Sequence, residues 1–319
     1  MQFLDILTAT IWVFLAVGIG YLTRVVGIIS DVSQKSIMRL VLVVLYPCFI
    51  LSRVPGNTSF QDISMVTMAA GAGFVLTCVG LLVSYLMGMA LKIDQQEGRS
   101  TFCVSTALQN YGFIPIPLIE ALFADSATET VGILFVHNLG LEIAMWSIGI
   151  VLLSGTMKGS LKRLINGPTI AIVAGLFLNF TGIYHHIPGP VNELTMQLGN
   201  CSIPISLVLV GATLAGIVER EKIIFNWSVI TGSMLVRFAI MPVIFLGAAW
   251  IVRSSKELQT VLIVESAMPT AIFPIVLAKH FGGKPNVAVQ IVIVTSIASL
   301  ILTPALLMLG LMLFSNSSP

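Results

Sequence analysis

The sequence predicts an all-α polytopic membrane protein with ten transmembrane helices in two inverted five-helix repeats. Three observations carry this expectation: the composition, the distribution of basic residues, and two proline-broken apolar segments that recur at one internal offset. Hydrophobic residues make up 56% of the chain, charged residues 9%, and the mean hydropathy is +1.00. Such a composition excludes an ordinary soluble domain and gives no nucleic-acid-binding surface. A helical span needs about 20 mostly apolar residues. Ten segments qualify: residues 3–24, 33–54, 63–91, 100–123, 130–154, 168–183, 194–218, 227–252, 258–281 and 286–314.

Taken in order, the first span lacks a basic leader and a small-residue cleavage pattern, so a retained helix is expected rather than a signal peptide. The second carries Pro47, the seventh Pro204, the eighth Pro242 and the tenth Pro304, each expected to kink its helix. The fourth and ninth spans are different. Gln109-Asn110-Tyr111-Gly112-Phe113-Ile114-Pro115-Ile116-Pro117-Leu118 lies mid-way along one, and Ala267-Met268-Pro269-Thr270-Ala271-Ile272-Phe273-Pro274-Ile275-Val276 mid-way along the other. Proline at that depth removes a backbone donor and crowds the preceding turn, freeing polar groups that lipid cannot satisfy. Breaks of this kind persist where they line a cavity, and a matched pair in two halves points to a transporter's substrate site. The sixth span is the shortest. Cys48, Cys78, Cys103 and Cys201 all fall inside spans without CxxC spacing, so buried free thiols are expected.

Ten spans place both termini on one side. The odd-numbered connections carry twelve basic residues: Arg24, Lys35, Arg39, Lys92, Arg99, Lys158, Lys162, Arg163, Arg220, Lys222, Lys279 and Lys284. The even-numbered side holds three, Arg53, Arg253 and Lys256. The positive-inside rule then puts the first set in the cytoplasm and both termini outside, in a plasma or bacterial inner membrane. His185 and His186 fall on the outer side as exposed loop residues.

An offset of about 158 superposes the halves. Pro47 meets Pro204 at 157, and residues 106–123 lie over 264–281 at 158, so Pro115 and Pro117 flank the position of Pro274. The repeats are residues 1–157 and 158–319. Five spans in each half, an odd number, make the repeat inverted, the arrangement expected for alternating access around a central site.

His137, Glu142, Arg237 and Glu265 are ionisable residues inside spans. Each charged form costs several kcal/mol in hydrocarbon, so each needs a partner or a wet cavity. Glu265 stands about one helical turn from Pro269, where its carboxylate can hold a hard cation or a proton beside freed carbonyls. Asn110 occupies a similar depth and can both donate and accept. An ion pair of Arg237 with Glu142 or Glu265 that only ties helices together is the structural alternative, as is a satisfied core position for His137. Half-helix N-termini after the breaks, around Ile116–Leu118 and Phe273–Ile275, present amides and a positive dipole end suited to a carboxylate. The substrate-binding candidates are therefore Asn110, Tyr111, Pro115, Ile116, Pro117, Pro269, Thr270, Phe273, Pro274 and Arg237. The cation-coupling candidates are Glu265, Met268, Asn110, Asn138, Glu142 and His137.

The run Pro269-Thr-Ala-Ile-Phe-Pro274-Ile-Val-Leu-Ala-Lys279 resembles the ninth-helix motif of the auxin efflux carrier family, which includes plant PIN-type carriers and bacterial malonate-type transporters. Asn110 through Pro117-Leu118 is similar to that family's fourth-helix Asn…Pro-Leu motif, and Gly20-Tyr21-Leu22 through Leu45-Tyr46-Pro47 fits its opening. The resemblance spans essentially the whole chain. It implies helices four and nine crossing at their breaks at the membrane centre, in a transport domain of helices 3–5 and 8–10. That domain would move beside a scaffold of helices 1, 2, 6 and 7. It also implies organic-anion transport by an elevator-like motion, often in a homodimer, with Asn110 touching substrate and Pro117, Pro269 and Pro274 shaping the crossing. The long cytoplasmic loop of many plant carriers is absent. Glu265-Ser-Ala-Met268 resembles the ninth-helix glutamate region that binds sodium in sodium–bile acid symporters, which favours Na+ over H+ at Glu265. No other cofactor is expected.

A secondary transporter of a small carboxylate is the reading the residues favour. A potential-driven anion uniporter or exporter, and a membrane sensor that binds without moving its ligand, use the same features. A membrane-embedded enzyme is disfavoured, because His137 and Glu142 stand ~140° apart on an ideal helix and no HExxH or GxSxG accompanies them. A channel is disfavoured because no pore ring is evident.

Overall fold

The computed structural model describes residues 3–96, 98–157, 161–220 and 224–315. Lys158 and Lys222, two of the basic loop residues, lie outside these, as does the start of the second repeat at residue 158. The described residues form sixteen α-helices: α1 (Phe3–Val25), α2 (Asp31–Leu40), α3 (Tyr46–Leu51), α4 (Ile63–Ala90), α5 (Arg99–Ala107), α6 (Pro115–Leu122), α7 (Ala127–Ala144), α8 (Ile150–Ser154), α9 (Gly167–Thr181), α10 (Gly189–Asn200), α11 (Ser202–Arg220), α12 (Trp227–Leu235), α13 (Met241–Ile251), α14 (Lys256–Ser266), α15 (Phe273–His280) and α16 (Pro285–Ser315). No strand occurs among the described residues, only one isolated bridge. The protein is all-helical, with seven helical runs long and apolar enough to cross a membrane. The shorter apolar α9 and two interrupted segments, α5–α6 and α14–α15, accompany them.

Local chemistry sets many of these boundaries. Ser30, Asp62, Asn166, Asn226 and Ser255 each cap a helix by accepting a first-turn amide. Proline at the expected kinks of the second, seventh and eighth spans is handled in two ways. Pro47 and Pro242 stand at the second position of α3 and α13, each directly after a single π turn, Val41–Leu45 and Val236–Ile240. The wider turn accommodates the missing donor without breaking the helix. Pro204 stands in the first turn of α11, where no intrahelical donor is needed, so the seventh segment steps at Cys201 instead. Pro304 lies within an uninterrupted α16. A third π turn, Met145–Gly149, joins α7 to α8 without a proline. The cysteines are free, but only Cys103 is fully buried; Cys201 is exposed, correcting the expectation of four buried thiols. His185 and His186 are exposed, as expected.

Two helix pairs make the most extensive contacts, α1 with α11 and α4 with α7. Both are closed by reciprocal glycines. A Cβ on Gly20 would collide with the Val208 carbonyl and one on Gly211 with the Val17 carbonyl; likewise Gly73 faces the His137 carbonyl and Gly140 the Ala70 carbonyl. Small residues let backbones approach where lipid supplies no hydrophobic driving force. Around α1–α11 gather α2, α3, α9 and α10. An ionic cluster ties their ends: Arg24 pairs with Asp31 at 2.8 Å and Glu219 at 3.2 Å, and Arg220 pairs with Asp31. Around α4–α7 gather α5, α13, α14 and, through α5 and α14, α12 and α16.

Candidate functional site: the paired helix breaks

The two breaks face each other. Residues 108–114 and 267–272 leave the helix, and Gln109 and Thr270 form an antiparallel bridge. The Asn110 amide donates to the Pro269 carbonyl at 2.7 Å, and the Ala271 amide donates to the Leu108 carbonyl at 2.9 Å. Each break thus satisfies backbone groups that the other has freed, which hydrocarbon could not do. Side chains complete the accounting. Asn138 Nδ2 donates to the Tyr111 carbonyl at 2.7 Å, Thr303 Oγ1 to the Ala267 carbonyl at 2.7 Å, and the Thr270 amide to Thr295 Oγ1 at 3.3 Å. Asn110 Oδ1 accepts the Phe113 amide at 3.3 Å.

Beyond the breaks the chain resumes as α6 and α15, with Pro115, Pro117 and Pro274 in their first turns. Those prolines remove amides that would be orphaned there, leaving Ile116 and Leu118 as the donors of the first α6 turn. Phe273 at the start of α15 packs edge-on against Trp146 at 5.8 Å. Tyr111 is half-buried in the same apolar cluster.

A cavity of about 220 Å³ adjoins one side of the paired breaks. Asn110, Ile114, Thr270 and Ile272 form its wall from the breaks, and α1, α11 and α16 close it with Val17, Tyr21, Val210 and Ser296 among others. Of the ten sequence-derived substrate candidates, Asn110 and Thr270 line this cavity. Tyr111, Pro115, Ile116, Pro117, Pro269, Phe273 and Pro274 do not; they build and hold the breaks. The Thr270 hydroxyl, buried, has no hydrogen-bond partner.

The charged residues lie elsewhere. Glu265 is fully buried near the end of α14, with the Gln109 side chain as its polar neighbour. Met268 is buried just beyond it. Arg237, also fully buried, sits on the π turn before α13. It donates from Nη1 to the Ala107 carbonyl at 3.4 Å, the last residue of α5, and does not line the cavity. The expected ion pair of Arg237 with Glu142 or Glu265 is absent among the described residues. Glu142 instead accepts from Asn166 Nδ2 at 3.2 Å and Thr169 Oγ1 at 3.3 Å, linking α7 to the start of α9. His137 is fully buried, with Nδ1 3.4 Å from Asn138 Oδ1 and Nε2 unpartnered. No group of three or more His, Cys, Asp or Glu suited to a metal occurs among the described residues.

Compared with known proteins, the sequence matches the family described as membrane transport protein over residues 5–163 and 156–307. The chain belongs to this family. It is the auxin efflux carrier family that the two break motifs resemble. Among curated relatives of this membrane transport protein, an uncharacterized transporter of Methanocaldococcus jannaschii is 23% identical over 296 residues, covering 91% of this chain and 94% of the relative. An uncharacterized transporter of Methanothermobacter thermautotrophicus is 22% identical over 309 residues, covering 95% and 98%. The protein is thus a multi-pass membrane transporter and not an enzyme.

Sequence reasoning missed the cavity wall from α1, α11 and α16, since Val17, Val210 and Ile297 read like any lipid-facing residue. It also assigned no role to Gln109, whose position opposite Thr270 makes it the pivot of the pairing.

Proposed function

We propose that this membrane transport protein is a secondary active transporter of a small organic anion, a carboxylate, coupled to a cation with Na+ favoured over H+. The observation that carries the reading is the antiparallel pairing of two helix breaks beside a cavity that α1 and α11, of the other helix group, close together with α16. Half-helices meeting there offer amide donors and positive dipole ends to an anion on one side. On the other, helix C-termini and the buried Glu265 carboxylate favour a cation.

In this reading the seven long runs, α9 and the two interrupted segments make ten crossings in two inverted five-helix repeats, residues 1–157 and 158–319. Both termini lie outside the cytoplasm of a plasma or bacterial inner membrane. The α1–α11 group is the scaffold of helices 1, 2, 6 and 7, and the α4–α7 group is the transport domain of helices 3–5 and 8–10, sliding as an elevator. Reciprocal glycine contacts inside each group support treating each as a unit. The protein works as a homodimer in the bilayer.

A second reading, potential-driven uniport, is favoured by one feature: Arg237 already places a positive charge in the region of Glu265. Uptake of labelled small carboxylates into proteoliposomes separates the two. Cation-coupled transport requires uptake that accelerates with an inward sodium gradient and loses this acceleration in Glu265→Gln. Uptake driven by membrane potential alone, indifferent to sodium and to Glu265→Gln, supports uniport. Binding without uptake identifies a sensor.

A further inference from the structure

The cavity beside the breaks has two unlike ends. On the break side it is bounded by Asn110, Thr270 and the residues that precede the two half-helices, Ile114 before α6 and Ile272 before α15. Neither half-helix has a side-chain cap, so two helix N-termini begin at this wall with their positive dipole ends. Asn110 Oδ1 accepts the Phe113 amide, which leaves that side chain its Nδ2 hydrogens to offer. The buried Thr270 hydroxyl has no hydrogen-bond partner among the described residues. Such a wall suits one anionic head.

The remaining walls are largely apolar, with Phe14 and Val17 from α1, Val210 and Leu214 from α11, and Ile297 and Leu300 from α16. None of the thirteen lining residues is charged. A second carboxylate would therefore lose its water here with no counter-charge to replace it, whereas a hydrocarbon tail gains from the same walls. This end is also open. Gly18, Ile297 and Leu300 line the cavity and are exposed, Ile297 at 63%. All three lie well inside α1 and α16, at a level where a spanning helix meets lipid rather than water. A Cβ on Gly18 would meet nothing within 4 Å, so the gap beside it is space and not a packed contact.

We propose that the carboxylate taken at this site is an amphipathic monocarboxylate. Its head sits between the two breaks, and its tail leaves through a side mouth, bordered by α1 and α16, into the lipid. This rests on the reading that the cavity is the substrate site. A dicarboxylate finds no place for its second charge, and a carboxylate without a tail leaves the apolar walls uncovered.

The test is saturable binding of radiolabelled octanoate to the protein in lipid nanodiscs, with empty nanodiscs subtracted, and its displacement by suberate, laurate and dodecanol. Suberate, the octanoate chain with a carboxylate at each end, should displace about tenfold more weakly than octanoate itself. Laurate should bind at least as tightly as octanoate at equal mole fraction in the bilayer, because its longer tail continues outside the cavity. Gly18→Trp fills the mouth and should weaken laurate more than octanoate; the wild-type comparison of chain lengths decides alone should that variant not fold. Suberate equal to octanoate overturns the proposal, as does laurate binding more weakly than octanoate, the mark of a closed cavity. Dodecanol displacing as well as laurate also overturns it, since the mouth would then take any lipid tail. No octanoate binding in a protein that takes up malonate overturns the proposal and leaves the carboxylate reading standing. Neither binding nor uptake of any carboxylate removes both.

Discussion

The α4–α7 contact gives a sharp internal test, because α4 carries two glycines two residues apart with opposite surroundings. A Cβ on Gly73 would lie 1.9 Å from the His137 carbonyl oxygen, whereas a Cβ on Gly71 meets nothing within 4 Å. Real Cβ atoms stay beyond 3.0 Å, so Gly73→Ala requires α4 and α7 to part by at least 1.1 Å, the difference of those two distances. That shift is transmitted to Asn138, the next residue on α7. If α7 takes it all along the bond, the 2.7 Å contact from Asn138 to the Tyr111 carbonyl opens to as much as 3.8 Å, beyond a hydrogen bond. Overpacking of this kind costs about 1–3 kcal/mol. Gly71→Ala, by contrast, gains up to about 1 kcal/mol from helix propensity in an open position. Thermal unfolding of both variants in detergent is the assay. Gly73→Ala should melt several degrees below wild type and Gly71→Ala at or above it. Equal melting temperatures for the two variants would refute the close-approach argument.

Other outcomes follow from the same geometry. Pro269→Ala restores a donor and lets α14 continue into the break, so transport should collapse while folded protein still reaches the membrane; normal uptake in proteoliposomes contradicts this. Glu142→Ala removes the acceptor shared by Asn166 and Thr169 and should lower stability by about 1.5–3 kcal/mol, the range for hydrogen bonds to a charged group. Its sodium dependence should match wild type, unlike that of Glu265→Gln, when both are titrated side by side. Asp31→Asn breaks contacts to Arg24 and Arg220 on a half-exposed carboxylate, so its cost should be at most about 1 kcal/mol. That cost should shrink in high salt, as measured by unfolding at two ionic strengths.

The breaks were legible because proline cannot donate: two proline clusters at matching depth in the fourth and ninth spans left backbone groups needing partners. The structure supplies those partners from one break to the other, through Asn110 and Ala271. Asn138 was legible as a polar residue at depth, though not as the side chain that holds Tyr111. The π turns before Pro47 and Pro242 left no mark in the sequence, because Val41–Leu45 is as apolar as any helix and Val236–Ile240, apart from Arg237, is too. Glu142 joins the coupling candidates only as an ionisable residue inside the fifth span; its partners, Asn166 and Thr169, sit at a loop–helix junction that periodicity cannot place against α7. Arg237 was expected at the cavity or in an ion pair and occupies neither, since a π turn directs it to the end of α5.

The most direct test of the central claim asks whether substrate occupies the cavity beside the paired breaks. Ser296 on α16 lines that cavity, whereas Thr58 lines a separate pocket with Asn57 and Asn179. With Cys48, Cys78 and Cys201 replaced by serine, alkylation of Ser296→Cys and Thr58→Cys is followed in the presence of a transported carboxylate. The account predicts slowed alkylation at position 296 and no change at 58. Unchanged alkylation at 296 by a carboxylate that the same protein transports would contradict it.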